Sequence, residues 1–338
     1  MHIVTILIQV LEYALITYFG FASVYIFIFS LAGLFYKKRK VSNAGKIRKM
    51  AILIPGYKED EVIIEVAKSA LQQKYSLNLF DVIVIADSFQ EETITKLKTL
   101  PIKLIEVSFD KSTKSKALNK AMETIGDNYE VALILDADNI MEPNFIAKIN
   151  QAFNKNYRVV QGHRIAKNVN TSFAVLDAIS EEVNNHIFRK GHRALGLSSG
   201  LIGSGIAFDY PFFKETMANI NAVGGFDKEL ELTLLRDGDT IEYLDDAYVL
   251  DEKIQKSDDF GNQRKRWLSA QVVYFKKYFF SGLKELFLRG NIDFVDKVYQ
   301  MAAPPRILLL GSVCIITMCY LLMDFFLIAS TPNVTATF

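Results

Sequence analysis

The chain is 338 residues long, half of them hydrophobic and 12% aromatic, with a formal net charge of +1. That length suits one large domain or two modest ones, and a mean hydropathy of +0.16 is high for a water-soluble enzyme. The near-zero net charge removes a global electrostatic case for nucleic-acid binding.

From Ile3 to Tyr36 the only ionisable side chain is Glu12. The run exceeds the roughly 20 residues one membrane-spanning helix needs, yet it is too short for two spans and a turn, so it reads as one long or tilted helix. It has neither a basic start nor a small-residue cleavage site, which argues against a removable signal peptide. Lys37-Lys38-Arg39-Lys40 follows at once, and such a cluster favours the cytoplasmic side.

Met50–Pro55 is a short apolar run closed by Pro-Gly, which predicts a buried strand. Glu59–Gln73 has helical spacing, with Val62, Val66, Ala70 and Leu71 as its stripe. Asp81–Ala86 and Ile102–Val107 predict further strands, and Ser115–Ile125 a helix. Val131–Leu135 predicts a fourth strand, running into Asp136-Ala137-Asp138-Asn139. Strands alternating with helices imply a mainly parallel sheet covered on both faces. Ligands of such sheets bind beyond the strands' carboxyl ends, where Glu59, Asp87, Asp136 and Asp138 fall. No Gly-x-Gly-x-x-Gly follows the first strand and no Gly-Lys-Ser/Thr is present, which argues against dinucleotide and P-loop enzymes.

Asp136 and Asp138, at strand spacing, can offer hard oxygen ligands to a divalent cation. Gly203-Ser204-Gly205 lies between apolar residues, where backbone can approach a ligand closely or simply turn. Gln263 and Trp267, four apart, share a helix face with Arg264 and Arg266 beside them. The histidines, His2, His163, His186 and His192, show no metal-ligand spacing and read as structural, although His163 follows a predicted strand and could approach an acceptor. Tyr274–Met301 mixes apolar residues with lysines and Arg289, as segments lying along a membrane surface do. A second apolar run, Ile307–Ala329, follows Arg306 and carries Asp324 near its far end. Cys314 and Cys319 within it have no ligand cluster around them and read as membrane packing residues. The uncharged tail places the basic side of this span in the cytoplasm as well. The expected organisation is a transmembrane helix over 1–36, a basic linker over 37–49, a cytosolic domain over 50–270, interfacial helices over 271–304 and a second transmembrane helix over 305–330.

Five short runs occur together in a fixed order: Ile54-Pro55-Gly56-Tyr57-Lys58-Glu59, Ile85-Ala86-Asp87-Ser88, Lys114-Ser115-Lys116-Ala117-Leu118-Asn119, Asp136-Ala137-Asp138 and Gln263-Arg264-Lys265-Arg266-Trp267. From Ile52 to about Trp267 the chain resembles glycosyltransferase family 2, in its membrane-bound branch related to cellulose, chitin and hyaluronan synthases. The resemblance implies a GT-A type, Rossmann-like nucleotide-sugar domain flanked by transmembrane helices. It implies a metal-dependent, inverting enzyme that moves a sugar from a nucleotide sugar, commonly a UDP-sugar, to a glycan or lipid-linked acceptor.

The same resemblance implies residue roles. Pro55, Tyr57, Glu59, Asp87, Lys114 and Asp136 would hold the nucleotide sugar, and Asp138 would bind Mg2+ or Mn2+. Gly203, Ser204, Gly205, Gln263 and Trp267 would meet the acceptor, and Arg266 would stabilise the departing diphosphate. The base that takes the acceptor proton is expected from a Glu-Asp pair before a helix. Phe226-Asp227 stands in that place, with Asp227 as the base and no acid before it, while Asp237 and Asp239 compete for the role. The location implied is the inner or plasma membrane, multi-pass, with the catalytic domain in the cytoplasm. Membrane lipid and a homo-oligomeric or export partner are the further partners implied. An inactive scaffolding subunit is disfavoured because Glu59, Asp87, Asp136, Asp138 and Asp227 are all present.

Overall fold

The structure is a computed structural model and describes residues 2–37, 45–220, 225–253 and 257–330. Lys38-Arg39-Lys40, most of the basic linker and the tail 331–338 lie outside the described residues. In chain order the elements are α1 (His2–Leu34), β1 (Met50–Tyr57), α2 (Ile63–Ala70), β2 (Phe80–Asp87), α3 (Glu91–Lys98), β3 (Lys103–Val107), α4 (Lys114–Ile125), β4 (Val131–Ile134), β5 (Ile140–Met141), α5 (Phe145–Phe153), β6 (Val159–Ala166) and α6 (Ser172–Asn184). After a π-helical turn over Asn185–Gly191 come α7 (His192–Ala194), β7 (Ile206–Asp209), α8 (Tyr210–Ala218), α9 (Phe226–Arg236), β8 (Ile241–Asp251), α10 (Ser257–Arg289), α11 (Ile292–Ala302) and α12 (Arg306–Ser330).

One eight-stranded sheet, ordered β3-β2-β1-β4-β7-β6-β8-β5, organises the catalytic body. The first four strands are parallel, as the alternation of strand and helix predicts. β1 and β2 are buried on both faces because each is a near-continuous apolar run. One face packs Leu118, Ala121 and Met122 of α4 onto the sheet, and the other packs Ile63, Val66 and Ala67 of α2. Beyond β4 the sheet becomes mixed. β7 runs antiparallel to β4 and β6, and β8 returns parallel to β6.

Two expectations need correction. The Asp-x-Asp is not extended strand: β4 ends at Ile134, and the Asn139 N–H donates to the Asp136 carbonyl at 3.1 Å, closing a turn into β5. The helix expected over Glu59–Gln73 is confined to Ile63–Ala70, because Lys58, in the left-handed region at φ 56°, bends the chain out of β1 first.

The terminal segments, up to Phe29 and from Ala302, form one compact unit, and Ser30–Met301 forms the other. Within the first, the Tyr18 hydroxyl donates to the Ala302 carbonyl at 2.8 Å, and Tyr320 donates to Glu12. Two helices, Ile3–Leu34 and Arg306–Phe326, are long and apolar enough to cross a membrane. Cys314 and Cys319 are free and exposed. In the second unit α10 runs unbroken through the boundary expected at 270/271. Lys297 of α11 pairs with Glu231 of α9 at 2.7 Å, and Asn291 donates to the Leu235 carbonyl at 2.8 Å.

Candidate active site

The carboxyl ends of β1, β2 and β4 open into a cavity of about 320 Å³. Pro55, Tyr57, Glu59, Asp87, Lys114, Asp136 and Asp138, distant in sequence, all line it. β1 delivers Pro55 and Tyr57, β2 delivers Asp87, and the turn after β4 delivers Asp136 and Asp138. Lys114 opens α4, capped by the Thr113 hydroxyl accepting from the Lys116 N–H at 3.3 Å. Ser112 and Thr113 also line the cavity; the sequence reading missed both, because neither carries a charge or a motif.

Backbone strain collects at this rim. Lys58 and Ser88, the residues just after β1 and β2, both have positive φ, 56° and 58°. Such conformations cost of order 1–3 kcal/mol each for non-glycine residues and persist where the surroundings fix them. Here the Lys58 N–H donates to the Asp87 carbonyl at 3.1 Å, and the Ser88 hydroxyl donates to Asp87 Oδ1 at 2.9 Å. Lys58 thus ties the end of β1 to β2, and Ser88 orients the Asp87 carboxylate. Gly56 is required beside it, since a Cβ there would come within 2.6 Å of the Phe89 ring.

The carboxylates crowd one another. Burial, then Asp136, Asp251 and Glu59, push Asp138 up to about 6. Burial, followed by Asp136 and Asp60, raises Glu59 as well. Opposing this, Lys114 Nζ donates to Asp136 and, at 2.6 Å, to the Gly203 carbonyl. A cluster of acids whose ionisation is disfavoured fits a divalent cation, whose charge would relieve the repulsion. Among the described residues no ready-made set of three metal-binding side chains occurs.

Under the Asp-x-Asp turn lies a polar relay centred on two buried side chains, Asn139 and Ser204. The Asp136 N–H donates to Ser204 Oγ at 2.9 Å, and the Ser204 hydroxyl donates to Asn139 Oδ1 at 2.6 Å. Asn139 Nδ2 donates to Asp138 Oδ1 at 2.8 Å and to Asp251 Oδ1 at 2.9 Å. Asn139 and Ser204 are both 0% exposed. Expected as an acceptor contact, Ser204 instead holds the Asp-x-Asp turn; its hydroxyl is spent inside the protein. Gly205 is likewise buried, at φ 63° and against Val249. Of the three loop residues only Gly203 reaches toward the cavity, through its carbonyl. Asn139, Asp251 and Gln161, which carries the 201–205 loop on the Ile202 N–H and the Ser204 carbonyl, were not singled out from sequence. Buried amides give no sequence signal until the contacts are known.

Asp227 is the second residue of α9, whose start is set by Gly225 at φ 66°. A Cβ placed on Gly203 would lie 3.7 Å from the Asp227 Cβ and 3.5 Å from Lys114 Nζ, so the glycine stands between them. The competitors are elsewhere: Asp239 pairs with Arg158 at 3.0 Å, and Asp237 with Arg236 at 3.1 Å. Gln263, Arg266 and Trp267 do not line the cavity. Arg266 is exposed, Trp267 is 39% exposed, and Gln263 Oε1 is buried without a hydrogen bond. Arg264 stacks on Trp267 at 4.7 Å and pairs with Asp177 at 3.0 Å. His163 is closed to an acceptor: its two ring nitrogens engage the Asp245 carbonyl at 2.9 Å and Glu182 at 3.0 Å.

A model of the family described as "Glycosyltransferase like family 2" matches residues 48–270. The chain belongs to glycosyltransferase family 2. Its activity at that level is that of a glycosyltransferase. Among solved structures, the mannosyltransferase PcManGT from Pyrobaculum calidifontis, in complex with GDP-Man and Mn2+, is 16% identical, with 90% of each chain covered and a TM-score of 0.61. At that identity the likeness shows the GT-A fold. TarS of S. aureus in complex with UDP is 18% identical over 60% of each chain, with a TM-score of 0.40. Glucosyl-3-phosphoglycerate synthase from Mycobacterium tuberculosis, with Mn2+, UDP and phosphoglyceric acid, is 15% identical, covering 67% of this chain and 80% of that one, with a TM-score of 0.45. A search of the curated proteins finds no match.

Proposed function

We propose that this glycosyltransferase is membrane-bound and inverting, and moves a sugar from a nucleoside-diphosphate sugar to a glycan or lipid-linked acceptor hydroxyl. The observation that carries this reading is the single cavity in which Tyr57, Glu59, Asp87, Lys114, Asp136 and Asp138 converge. Tyr57 and Glu59 hold the nucleoside, Asp87 bonds to the base, and Lys114 pairs with a phosphate. A divalent cation, Mg2+ or Mn2+, held by Asp138 would supply charge to stabilise the leaving diphosphate; the PcManGT complex contains Mn2+ and GDP-Man. UDP is the first donor nucleotide to test and GDP the second.

Asp227, beside Gly203, takes the proton of the acceptor hydroxyl as that oxygen attacks the anomeric carbon. The bond from that carbon to the phosphate oxygen breaks on the opposite face, and the nucleoside diphosphate leaves. Arg266 then belongs on the diphosphate and Trp267 under an acceptor ring, which requires the amino-terminal part of α10 to close over the cavity. The two apolar helices would anchor the enzyme with its catalytic body in the cytoplasm. Product would then be either an extracellular or capsular β-linked polysaccharide or a single sugar on a lipid carrier.

The test is donor turnover by the detergent-purified chain across UDP- and GDP-sugars, with Mg2+, Mn2+ or a chelator. Release of nucleoside diphosphate from one donor, lost with chelator and in Asp138→Asn, supports the reading. Several kcal/mol of lost charge stabilisation puts the variant at or below about one hundredth of wild-type turnover. Folded protein that neither binds nor turns over any donor overturns it. Product length separates polymer synthesis from single addition.

A further inference from the structure

The outward side of α6 is apolar and its inward side is charged. Val175, Leu176, Ile179 and Val183 are exposed, Leu176 at 58% and Ile179 at 56%, and their spacing sets them along one stripe. Two of the helix's three carboxylates, Asp177 and Glu181, are turned into the protein, while Glu182 stands half-exposed beside the stripe with its carboxylate bent back to the body. Asp177 pairs with Arg264 at 3.0 Å, Glu181 with Arg164 at 2.7 Å, and Glu182 reaches back to the buried His163 at 3.0 Å. A helix facing water shows the reverse, with charges outward and the apolar stripe against the core.

Beside the stripe runs a groove of about 450 Å³, walled by Ala178, Ile179, Val183, Ile187, Ala166 and Ser30. Its polar members are already engaged, Glu182 with His163 and His186 Nε2 with the Ser30 carbonyl at 2.8 Å. Ser30 belongs to the last turns of α1, the helix whose apolar stretch runs from Ile3 to Leu34. The groove therefore opens where a membrane-length helix ends, which selects lipid hydrocarbon over a protein partner as its occupant.

We propose that α6 lies in the membrane interface, with its stripe and groove filled by the hydrocarbon chains of the surrounding bilayer. This rests on reading α1 as a membrane helix. Because Asp177 holds Arg264, the same helix ties the bilayer surface to the segment of α10 that carries Gln263, Arg266 and Trp267. Membrane contact thereby sets the position of the acceptor-facing helix. The charged inner face supplies the rigidity this needs, since Glu181 also lies 3.6 Å from both Arg189 and Lys253.

The test uses the full chain with Cys314→Ser and Cys319→Ser, reconstituted in phosphatidylcholine vesicles with or without bromine on the acyl chains. A single fluorophore is placed at Ile179→Cys, with Leu176→Cys as a second position if the first fails to fold. Leu15→Cys on α1 reports the membrane span, and Leu77→Cys, exposed on the catalytic body, sets the unquenched level. The Ile179 label is expected to lose fluorescence in brominated vesicles as the Leu15 label does. An Ile179 label that behaves like Leu77 while Leu15 is quenched overturns the proposal and leaves the membrane reading standing. Absence of quenching at Leu15 overturns the membrane reading, and the proposal with it.

Discussion

Lys114 donates to the carboxylate of Asp136 across 22 residues of chain, and the same ammonium donates to the Gly203 carbonyl. The lysine proposed to meet a phosphate is thus also the partner of the acid proposed to sit beside the nucleotide. In the proposed donor complex a phosphate oxygen becomes a further partner of the Lys114 ammonium. Lys114→Met is expected to lose a charge-assisted hydrogen bond of about 1.5–3 kcal/mol, or roughly 10–100-fold in kcat/KM. The loss should fall mainly on the donor KM, and steady-state kinetics at varied donor concentration reads it. An unchanged donor KM would mean that Lys114 serves Asp136 and not the substrate.

Asp227→Asn keeps the shape of the α9 start and removes the proposed proton acceptor. Turnover is expected to fall by about 10²–10⁴-fold, while nucleotide affinity, measured by calorimetry, stays near wild type. Equal loss of binding and turnover would move Asp227 from the chemistry to the donor site.

Asn139→Leu leaves the buried Ser204 hydroxyl and the partly buried carboxylates of Asp138 and Asp251 without their shared partner. An unsatisfied buried group costs about 1–3 kcal/mol, and loss of a residue orienting a metal ligand typically costs about 10–100-fold in affinity. Mn2+ binding followed by electron paramagnetic resonance should weaken by that factor before the thermal midpoint collapses. Wild-type Mn2+ affinity in the variant would show that the turn holds its own shape.

Glu181 gives a pH-dependent contribution to stability. Burial alone would raise its pKa, but Arg164, Arg189 and Lys253 bring it to about 2 from the ordinary 4.5. A folded-state value below the unfolded one stabilises the fold fully above pH 4.5, and the contribution is lost as pH falls through 2. Glu181→Gln should therefore destabilise the chain at pH 7, by about 3–5 kcal/mol for breaking a buried network. The gap between variant and wild type should narrow between pH 4.5 and 2. Urea midpoints of the full chain in detergent at pH 7 and at pH 3.5 measure both numbers, and a gap that does not narrow would assign the effect to packing.

Much of the parallel half of the fold was legible because β1, β2 and β4 are apolar runs ending in polar residues, a pattern set by local chemistry. The mixed half was not, because β7 and β8 take their direction from pairing across long helical connections. Likewise the helix after β1 starts at Ile63 and not at Glu59: the left-handed Lys58 is fixed by its bond to the Asp87 carbonyl on the neighbouring strand. No periodicity in the sequence records such a contact.

By itself the sequence determined the family, the residues that line the cavity and the two apolar helices. Each of these rests on residue identity and order along the chain: Pro55 to Glu59, Asp87, Lys114, Asp136 and Asp138, and the uncharged run before Tyr36. Only the tertiary structure decided that Ser204 faces inward, that Asn139 and Asp251 support the Asp-x-Asp turn, that Asp227 stands beside Gly203, and that α6 carries Asp177 and Glu181 inside. Those facts depend on which side of an element meets which neighbour, and burial and hydrogen bonding between distant residues settle that only once the chain has closed on itself.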